Sequence, residues 1–302
     1  TISAGRTNLT GSATPKGGLI LSIEKMTTPP IKVDMKSQTL TTPVGKYLEE
    51  MRKEALKQSN NKLHYPVDPT SREDAMVGGT LSCNASGFIP GPAGTTRYWT
   101  DSLDFLTPDG YKISCKRGEY ISNNGEFIID IPEGIITLPI PTYPRPNIKN
   151  ASGPFSDNEG KVDLVDFIVG SEGIYGLITS AIFRLKDMPD EFLDLYFTLP
   201  SEKYAIRFYQ YINNYFDKDL SQITALEYFG YNCQQYMDHR NKLFNNANEV
   251  GIYMQIPLFM QTIEDVAEEW FHVLKKSNCG INIENIILLN RIQIYSIRLF
   301  HI

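Results

Sequence analysis

The residues of this chain that could do chemistry lie in three glycine-bearing segments. The first, residues 3–18, reads SAGRTNLTGSATPKGG. Its small residues let the backbone approach a bulky anion, and its amide N–H groups and the hydroxyls of Thr7, Thr10 and Ser12 can donate to phosphate oxygens. The glycine spacing is neither that of a Rossmann loop nor that of a Walker loop. An ordinary turn rich in glycine and threonine is the alternative reading.

The second segment, residues 64–87, enters through two prolines that stiffen an extended backbone. The pair Gly78 and Gly79 permits close backbone contact. Three side chains near this pair offer polar groups, those of Ser82, Asn84 and Ser86. A tight turn between a helix and a strand is the alternative.

The third segment, residues 168–179, places a single carboxylate, that of Glu172, among glycines. Ile178, on the same segment, would present its backbone polar groups to a neighbour. A charged hairpin tip would show the same pattern, so the segment alone leaves both readings open.

Hydrophobic periodicity indicates the elements that must position these segments. Residues 1–188 predict a strand at 18–23, a helix at 42–59, a proline-rich stretch at 132–154 that cannot be regular helix, and β-branched runs within 162–185. Beyond residue 188 strands and helices alternate, with strands at 192–199, 222–229 and 250–259 and helices at 202–216, 233–245 and 262–276. Thr262 and Asp265 predict a capped start for the last helix, and Gly280 its end. Two domains follow, residues 1–188 and 189–302.

Composition narrows the class of protein. Apolar residues make up 41% of the 302, enough for a sizeable core, and the net charge of −6 disfavours a nucleic-acid partner. A stretch of about 18 uncharged apolar residues is needed to span a membrane, and the sequence contains none, so we expect no transmembrane helix. The four cysteines form neither a CxxC pair nor a metal cluster, which is typical of free thiols in a reducing compartment. The first residues are no signal peptide, and both ends read as cut, so we expect a piece of a longer protein.

Taken in order, the three segments resemble the FAD-binding domain of the vanillyl-alcohol oxidase / p-cresol methylhydroxylase superfamily, closest to the D-lactate dehydrogenase / glycolate oxidase flavin-subunit branch. That branch shows RGxGTGLTGGAxPxGG, then PxDPxS, GGxxxxNAGG and GSEGTLGIIT. This sequence has GRTNLTG, VDPTS, GG, NASG and GSEG in the same order. The resemblance implies the following FAD-binding residues: Gly5, Arg6, Thr7, Asn8, Thr10, Gly11, Pro69, Gly78, Gly79, Asn84, Gly87, Gly94, Glu172, Gly173 and Ile178.

The sequence departs from the family at several of these positions. Asn8 and Ser12 replace glycines and add side chains where the pyrophosphate should pass, Tyr175 replaces a leucine, and Pro154 replaces a tyrosine. No histidine or cysteine matches a covalent-flavin position, so the resemblance implies non-covalent FAD. Glycans at the sequons of Asn8, Asn84 and Asn150 would block the flavin, so we expect a cytoplasmic protein, with peripheral attachment to the inner membrane left open.

The resemblance implies an α+β fold: a p-cresol methylhydroxylase-type FAD-binding domain followed by a ferredoxin-like cap, or substrate, domain. It implies oxidation of a small D-2-hydroxy acid, such as lactate, glycolate or 2-hydroxyglutarate, by hydride transfer to flavin N5. Arg298, and next Arg291, would hold the substrate carboxylate, although a surface arginine fits the same pattern. A divalent metal could bind only through residues beyond Ile302.

Electrons would pass to a quinone, a cytochrome, an electron-transfer flavoprotein or an iron–sulfur protein, and a homodimer stays open. One alternative keeps the flavin and changes the substrate, as in alkylglycerone-phosphate synthases and in phenol or sugar oxidases. The other alternative is a non-catalytic flavin-domain subunit of a complex.

Overall fold

The computed structural model describes residues 1–11, 13–141, 143–146, 148–150, 153, 156–157, 160–236 and 243–289. The chain forms two compact units. Unit 1 comprises Thr1–Gly87 and Gly94–Met188, and unit 2 comprises Phe88–Ala93 and Pro189–Ile302. The short segment 88–93 is therefore part of unit 2, although it lies within the stretch predicted as the first domain.

The part of unit 1 that the structure describes is built from short strands and four α-helices. Its strands are β1 (Ile2–Ser3), β2 (Leu21–Ser22), β3 (Lys32–Asp34), β4 (Thr39–Pro43), β5 (Leu63–His64), β6 (Thr100–Leu106), β7 (Lys112–Lys116), β8 (Glu126–Ile131), β9 (Gly134–Pro139), β10 (Leu177–Arg184) and β11 (Lys186–Asp187). Its helices are α1 (Leu48–Gln58), α2 (Val77–Ser82), α3 (Thr96–Trp99) and α4 (Leu164–Ile168).

A five-stranded antiparallel sheet in the order β3-β4-β10-β6-β7 organises unit 1. Alternate residues of its strands are buried, such as Ile113 and Cys115 on β7, because successive side chains point to opposite faces. Three two-stranded sheets accompany it: parallel β1–β2 and antiparallel β5–β11 and β8–β9.

Two predicted elements of unit 1 begin later than the sequence suggests. The helix predicted from residue 42 starts at Leu48, because Thr42 and Pro43 pair with β10 in the sheet. The strand predicted from residue 18 is confined to Leu21–Ser22, since Gly17 and Gly18 adopt φ of +121° and +78°, outside the strand region.

The proline-rich stretch contains regular structure, which the sequence analysis did not assign. Strands β8 and β9 form a hairpin in which Ile131 is opposite Gly134. The two residues between them, Pro132 and Glu133, make the turn. Proline is confined here to the turn and to the strand end at Pro139, where no ladder hydrogen bond is lost.

Within its described residues, unit 2 contains a four-stranded antiparallel sheet and two α-helices. Its strands are β12 (Glu191–Leu199), β13 (Ala225–Gly230), β14 (Val250–Leu258) and β15 (Ile287–Leu288), in the order β13-β14-β12-β15. Helix α5 (Glu202–Tyr215) connects β12 to β13, and α6 (Ile263–Lys276) follows β14. This succession and order are those of ferredoxin-like folds, so the α+β expectation is confirmed.

The helices of unit 2 cover one face of its sheet. The buried side chains Leu195 and Phe197 of β12 pack with Phe208 of α5 and Trp270 of α6 in one apolar core. The opposite face carries a smaller buried cluster that includes Tyr196 and Tyr253. Burial on both faces explains why β12 and β14 read as continuous apolar runs.

Three predictions in unit 2 need correction. The strand predicted from residue 222 starts at Ala225, after a 3-10 turn, Leu220–Gln222, that Asp219 caps. The helix predicted over 233–245 is a 3-10 helix at Tyr231–Tyr236, and residues 243–245 are not helical; residues 237–242 lie outside the described chain. Helix α6 is capped by Thr262 as predicted, but the left-handed residue just beyond its end is Asn278 (φ +51°) rather than Gly280.

Candidate functional site

The three glycine-bearing segments meet at an open cleft of about 270 Å³ in unit 1. Nine of the predicted FAD-binding residues line it: Gly5, Arg6, Thr7, Asn8, Gly78, Gly79, Glu172, Gly173 and Ile178. These residues come from three places in the sequence, with 70 positions between Asn8 and Gly78 and 93 between Gly79 and Glu172, and the fold brings them to one surface.

The first segment enters the cleft directly after β1. Gly5 approaches the backbone so closely that a Cβ there would clash with the carbonyl oxygen of Asp74. Arg6 adopts a left-handed conformation (φ +59°), and its guanidinium lies 3.7 Å from the Glu24 carboxylate at the surface. Thr7 and Asn8 place a hydroxyl and a carboxamide on the cleft wall, which are donors suited to an anion.

The second segment supplies a wall made of α2 and the residues that follow it. Gly78 packs against Ile23 and Val44, where a Cβ has no space, whereas a Cβ at Gly79 would meet only Ala4 within 4 Å. Both Gly79 and Ala4 line the cleft, so a larger side chain at Gly79 would fill it. Small residues here keep open the space that a ligand needs.

The third segment forms the facing wall. Glu172 adopts φ +54° and Gly173 φ +79°, and the Glu172 amide donates to the Ser82 carbonyl at 2.9 Å. Among the described residues that line the cleft, Glu172 is the one acidic side chain and Arg6 the one basic side chain. Ile178 lies on β10 beside an irregularity in the β10–β6 pairing, where the strand leaves the cleft.

Six predicted residues of unit 1 lie outside the cleft lining: Thr10, Gly11, Pro69, Asn84, Gly87 and Gly94. Asn84 is fully buried, and its Oδ1 accepts from the Arg97 amide at 2.8 Å. Gly87 presses against the Asp68 backbone and donates to the Gly94 carbonyl at 2.8 Å. These contacts join loops, so the structure gives these residues a role in shaping the walls. Asn84 would also be inaccessible to glycosylation in the folded chain.

The structure adds lining residues that the sequence analysis did not select. Cys83 and Ala85 flank the buried Asn84 and face the cleft, and Ser71 and Gly176 lie near its other edges. Cys83 is exposed at the cleft, and partial desolvation by its surroundings, together with the negative charge of Glu172, raises the pKa of its thiol. No periodic pattern indicated Cys83 and Ala85, because they lie in the turn that follows α2, where Asn84 adopts a left-handed conformation (φ +46°).

Several predicted residues cannot be placed. Ser12 and the two arginines predicted to bind the substrate carboxylate, Arg291 and Arg298, lie outside the described residues. In the described part of the chain, histidine, cysteine, aspartate and glutamate form no group of three that could hold a metal ion. No helix of that part has both the length and the apolar character that crossing a membrane requires.

The chain is similar in sequence to a known protein family and to several known proteins. Residues 1–116 match the family model described as an FAD binding domain. A D-2-hydroxyglutarate dehydrogenase of Xanthomonas citri pv. viticola is 30% identical over 200 residues, 66% of this chain and 34% of the relative. A D-lactate dehydrogenase of Archaeoglobus fulgidus is 30% identical over 182 residues, 60% of this chain and 32% of the relative. The chain thus spans about a third of these relatives' length.

Solved structures give the same fold. An alkyldihydroxyacetonephosphate synthase superposes with a TM-score of 0.63 at 16% identity, over 99% of this chain and 50% of that one. At this identity the likeness concerns the fold. The likeness extends over the folds of both units.

The residues of the cleft fit part of an FAD molecule. Nine of the lining residues are glycine or alanine, and hydroxyl or amide donors come from Thr7, Asn8 and Ser82. A cavity of about 270 Å³ lies just below the roughly 300–1,000 Å³ of typical ligand pockets, so it suits a portion of a dinucleotide. Small walls with neutral donors and a single carboxylate match a phosphate-bearing, hydroxyl-rich ligand.

Proposed function

Because the chain carries an FAD-binding domain of the vanillyl-alcohol oxidase / p-cresol methylhydroxylase superfamily, we propose that it belongs to an FAD-dependent oxidoreductase that oxidises a small D-2-hydroxy acid. The observation that supports this most directly is the meeting of all three glycine-bearing segments at one cleft. The relatives named as dehydrogenases of D-2-hydroxyglutarate and D-lactate support the substrate class.

The first segment would hold the phosphates of FAD. Gly5 lets the chain turn tightly against Asp74, and Thr7 and Asn8 then offer an O–H and an N–H to anionic oxygens. Asn8 stands where the family has glycine, so its carboxamide both narrows the cleft and adds a donor. FAD attachment is non-covalent in this proposal.

The two facing walls would hold the remainder of the cofactor. Gly79 and Ala4 leave open the space that a larger side chain would fill. Glu172 can accept hydrogen bonds from ligand hydroxyls, and as the one carboxylate of the lining it would repel phosphates towards the first segment. Ser82 offers a further hydroxyl on the second wall.

The chemistry that FAD supplies when bound is acceptance of a hydride from the carbon that bears the substrate hydroxyl. A 2-hydroxy acid would thereby become a 2-oxo acid, with the hydroxyl proton passing to a base. Arg298, or Arg291, would bind the substrate carboxylate through a planar guanidinium fork. A quinone, cytochrome, electron-transfer flavoprotein or iron–sulfur protein would receive the electrons.

The visible spectrum of the purified full-length protein tests this function. We expect a flavin spectrum that is bleached anaerobically by one of D-lactate, glycolate or D-2-hydroxyglutarate, and not by L-lactate at equal concentration. Absence of a flavin spectrum after incubation with FAD would overturn the assignment and favour a non-catalytic subunit.

A second candidate function shares the cofactor. The superposition on alkyldihydroxyacetonephosphate synthase extends over 99% of this chain, which favours a flavoenzyme of that architecture with another substrate. A flavin that none of the three hydroxy acids bleaches would support this second candidate over the first. Phenols and sugars would then be the next substrates to assay.

A further inference from the structure

The two long walls of the cleft are joined by backbone hydrogen bonds. One wall contains Cys83 and Ala85, and the other contains Glu172 and Gly173. The amide of Gly170 donates to the Leu81 carbonyl at 2.9 Å, next to the bond from the Glu172 amide to Ser82 described above. These bonds connect one end of each wall, and a second connection is needed to fix the angle between them.

Arg97 makes that second connection. Its backbone N–H donates to Oδ1 of Asn84 at 2.8 Å, and its guanidinium Nη2 donates to the Val169 carbonyl at 2.7 Å. Asn84 lies between Cys83 and Ala85, and Val169 begins the turn that leads to Glu172. Arg97 is only 5% exposed and is absent from the cleft lining, so it acts on the cleft through these two loops.

A third loop rests on the same side chain. Gly153 packs against the guanidinium of Arg97 so closely that a Cβ at residue 153 would clash with it. The Asn150 carbonyl accepts from Nδ2 of Asn84 at 3.5 Å, a long contact that ties the same loop to the second segment. One arginine thus contacts three stretches, which lie 13, 56 and 72 residues from it in the sequence.

The surroundings show that a cation at this position is costly. Arg117 and Arg145 both bind Asp166, at 2.8 and 3.1 Å, and Arg117 also donates to the Arg97 carbonyl at 2.8 Å. Burial, together with the charge of Arg145, lowers the pKa of Arg97 to about 10. A buried cation among like charges destabilises a fold compared with an apolar side chain, so its presence here indicates that its directed hydrogen bonds matter.

We propose that Arg97 is a positioning residue that sets the separation of the two cleft walls and thereby the affinity for FAD. This inference rests on the proposed function for its ligand, but its geometric part concerns the cleft alone. Lysine at residue 97 would keep the charge and the backbone N–H donor while losing the guanidinium fork. It would therefore release Val169 and leave Asn84 in place.

The test compares Arg97→Lys with Arg145→Gln in the full-length protein. Arg145→Gln is the matched control, because it also removes a guanidinium from this cluster yet touches neither wall. Two readouts are measured: the Kd for FAD, with the visible circular dichroism of the bound flavin, and the alkylation rate of Cys83 in the FAD-free protein by mass spectrometry. Cys83 is exposed on the wall, while the partly exposed Cys233 of unit 2 is an internal standard.

For Arg97→Lys we expect FAD affinity to fall about tenfold or more, as for other residues that orient a binding group, with an altered flavin signal and a several-fold change in the Cys83 rate. Arg145→Gln should change neither by more than about twofold. Unchanged Kd and unchanged Cys83 reactivity in a folded Arg97→Lys variant would overturn the inference. Equal changes in both variants would overturn it as well, since they would indicate general loosening.

The inference can still be tested if Arg97→Lys does not fold or if the protein binds no FAD. If Arg97→Lys does not fold, Gly153→Ala replaces it, because its Cβ would push the guanidinium from the opposite side and should shift the same two readouts. If the wild-type protein binds no FAD, the proposed function fails, whereas the Cys83 rate in the FAD-free variants still decides whether Arg97 sets the walls.

Discussion

The two units of this chain obtain their structure in different ways. In unit 2, long strands such as β12 and β14 pack against α5 and α6, and their side chains interdigitate in one apolar core. In unit 1, the cleft is made of short elements and turns, several with residues at positive φ, such as Arg6 and Glu172. Local backbone strain of this kind persists where surrounding contacts hold it, and here those contacts are polar and long-range.

The difference indicates how each unit should respond to mutation. Unit 2 is stabilised mainly by buried apolar surface, so its free energy of unfolding should fall most when buried volume is removed. The cleft of unit 1 is held by contacts between loops, so small changes of geometry should weaken ligand binding while stability stays nearly the same.

The largest effect is expected in the core of unit 2. Phe208 is 1% exposed, and its ring lies 5.2 Å from that of Phe197. Phe208→Ala should lower the free energy of unfolding by about 3–5 kcal/mol, because it leaves a cavity that the neighbours cannot close. Urea denaturation measures this loss. Ile206→Ala, on the exposed side of the same helix, should change it by less than about 0.5 kcal/mol, and equal losses in the two variants would contradict the core described here.

The next effect is a dependence on acid in unit 1. The pKa of His64 is lowered from 6.5 to about 4, mainly because burial penalises the charged imidazolium. The positive charges of Arg52 and Lys186 lower it further, and the negative charge of Asp68 opposes them. Between pH 6.5 and 4 the unfolded chain therefore binds a proton that the folded chain does not, so stability falls as the pH falls through this window. The loss approaches about 3 kcal/mol at its lower end.

Urea denaturation at several pH values measures this loss. In His64→Gln the corresponding slope should be absent, because glutamine does not titrate. A wild-type protein whose stability is constant from pH 6.5 to 4 would show that the His64 imidazole is not desolvated in the folded chain.

A smaller change in free energy, but a selective one, is expected at Gly5. Alanine at this position would clash with the Asp74 carbonyl and move the first segment. We expect FAD affinity to fall about 100-fold, equivalent to about 2.7 kcal/mol. Gly230 of unit 2 provides the matched control, because a Cβ there makes only ordinary contacts, at 3.7 Å and beyond. Flavin fluorescence titration measures both variants, and equal affinities would contradict the role of Gly5.

The same contrast explains what could be predicted from the sequence. Periodic patterns placed β12, α5, β14 and α6 within one residue of their observed bounds, because each element buries one stripe or face that the pattern records. They failed over 233–245, where Phe244 is buried without a helix and the Gln234 side chain accepts from its amide at 3.3 Å. A hydrogen bond between a side chain and a backbone amide leaves no periodic pattern in the sequence.

In unit 1 the motifs indicated the segments of the cleft but not which of their residues face it. Asn84 carries the motif, yet its neighbours Cys83 and Ala85 line the wall. No sequence pattern indicated Arg97, since its partners are distant in sequence and it belongs to no glycine-bearing segment. Such residues are visible only once the chain has folded.

The smallest effect expected is at the start of α6, where a local signal was sufficient. Thr262 Oγ1 accepts from the Asp265 amide at 3.2 Å and donates to the Asp265 carboxylate at 2.7 Å. Thr262→Ala should lower the free energy of unfolding by about 1 kcal/mol, because the amide loses its acceptor at the helix end. Thr262→Ser, which keeps the hydroxyl, should restore most of it. Hydrogen exchange at the first amides of α6 should rise in the alanine variant alone, whereas FAD affinity should be the same in all three proteins. A loss of FAD affinity in the alanine variant would show that the cleft of unit 1 depends on the regular packing of unit 2, against the separation of the two responses argued above.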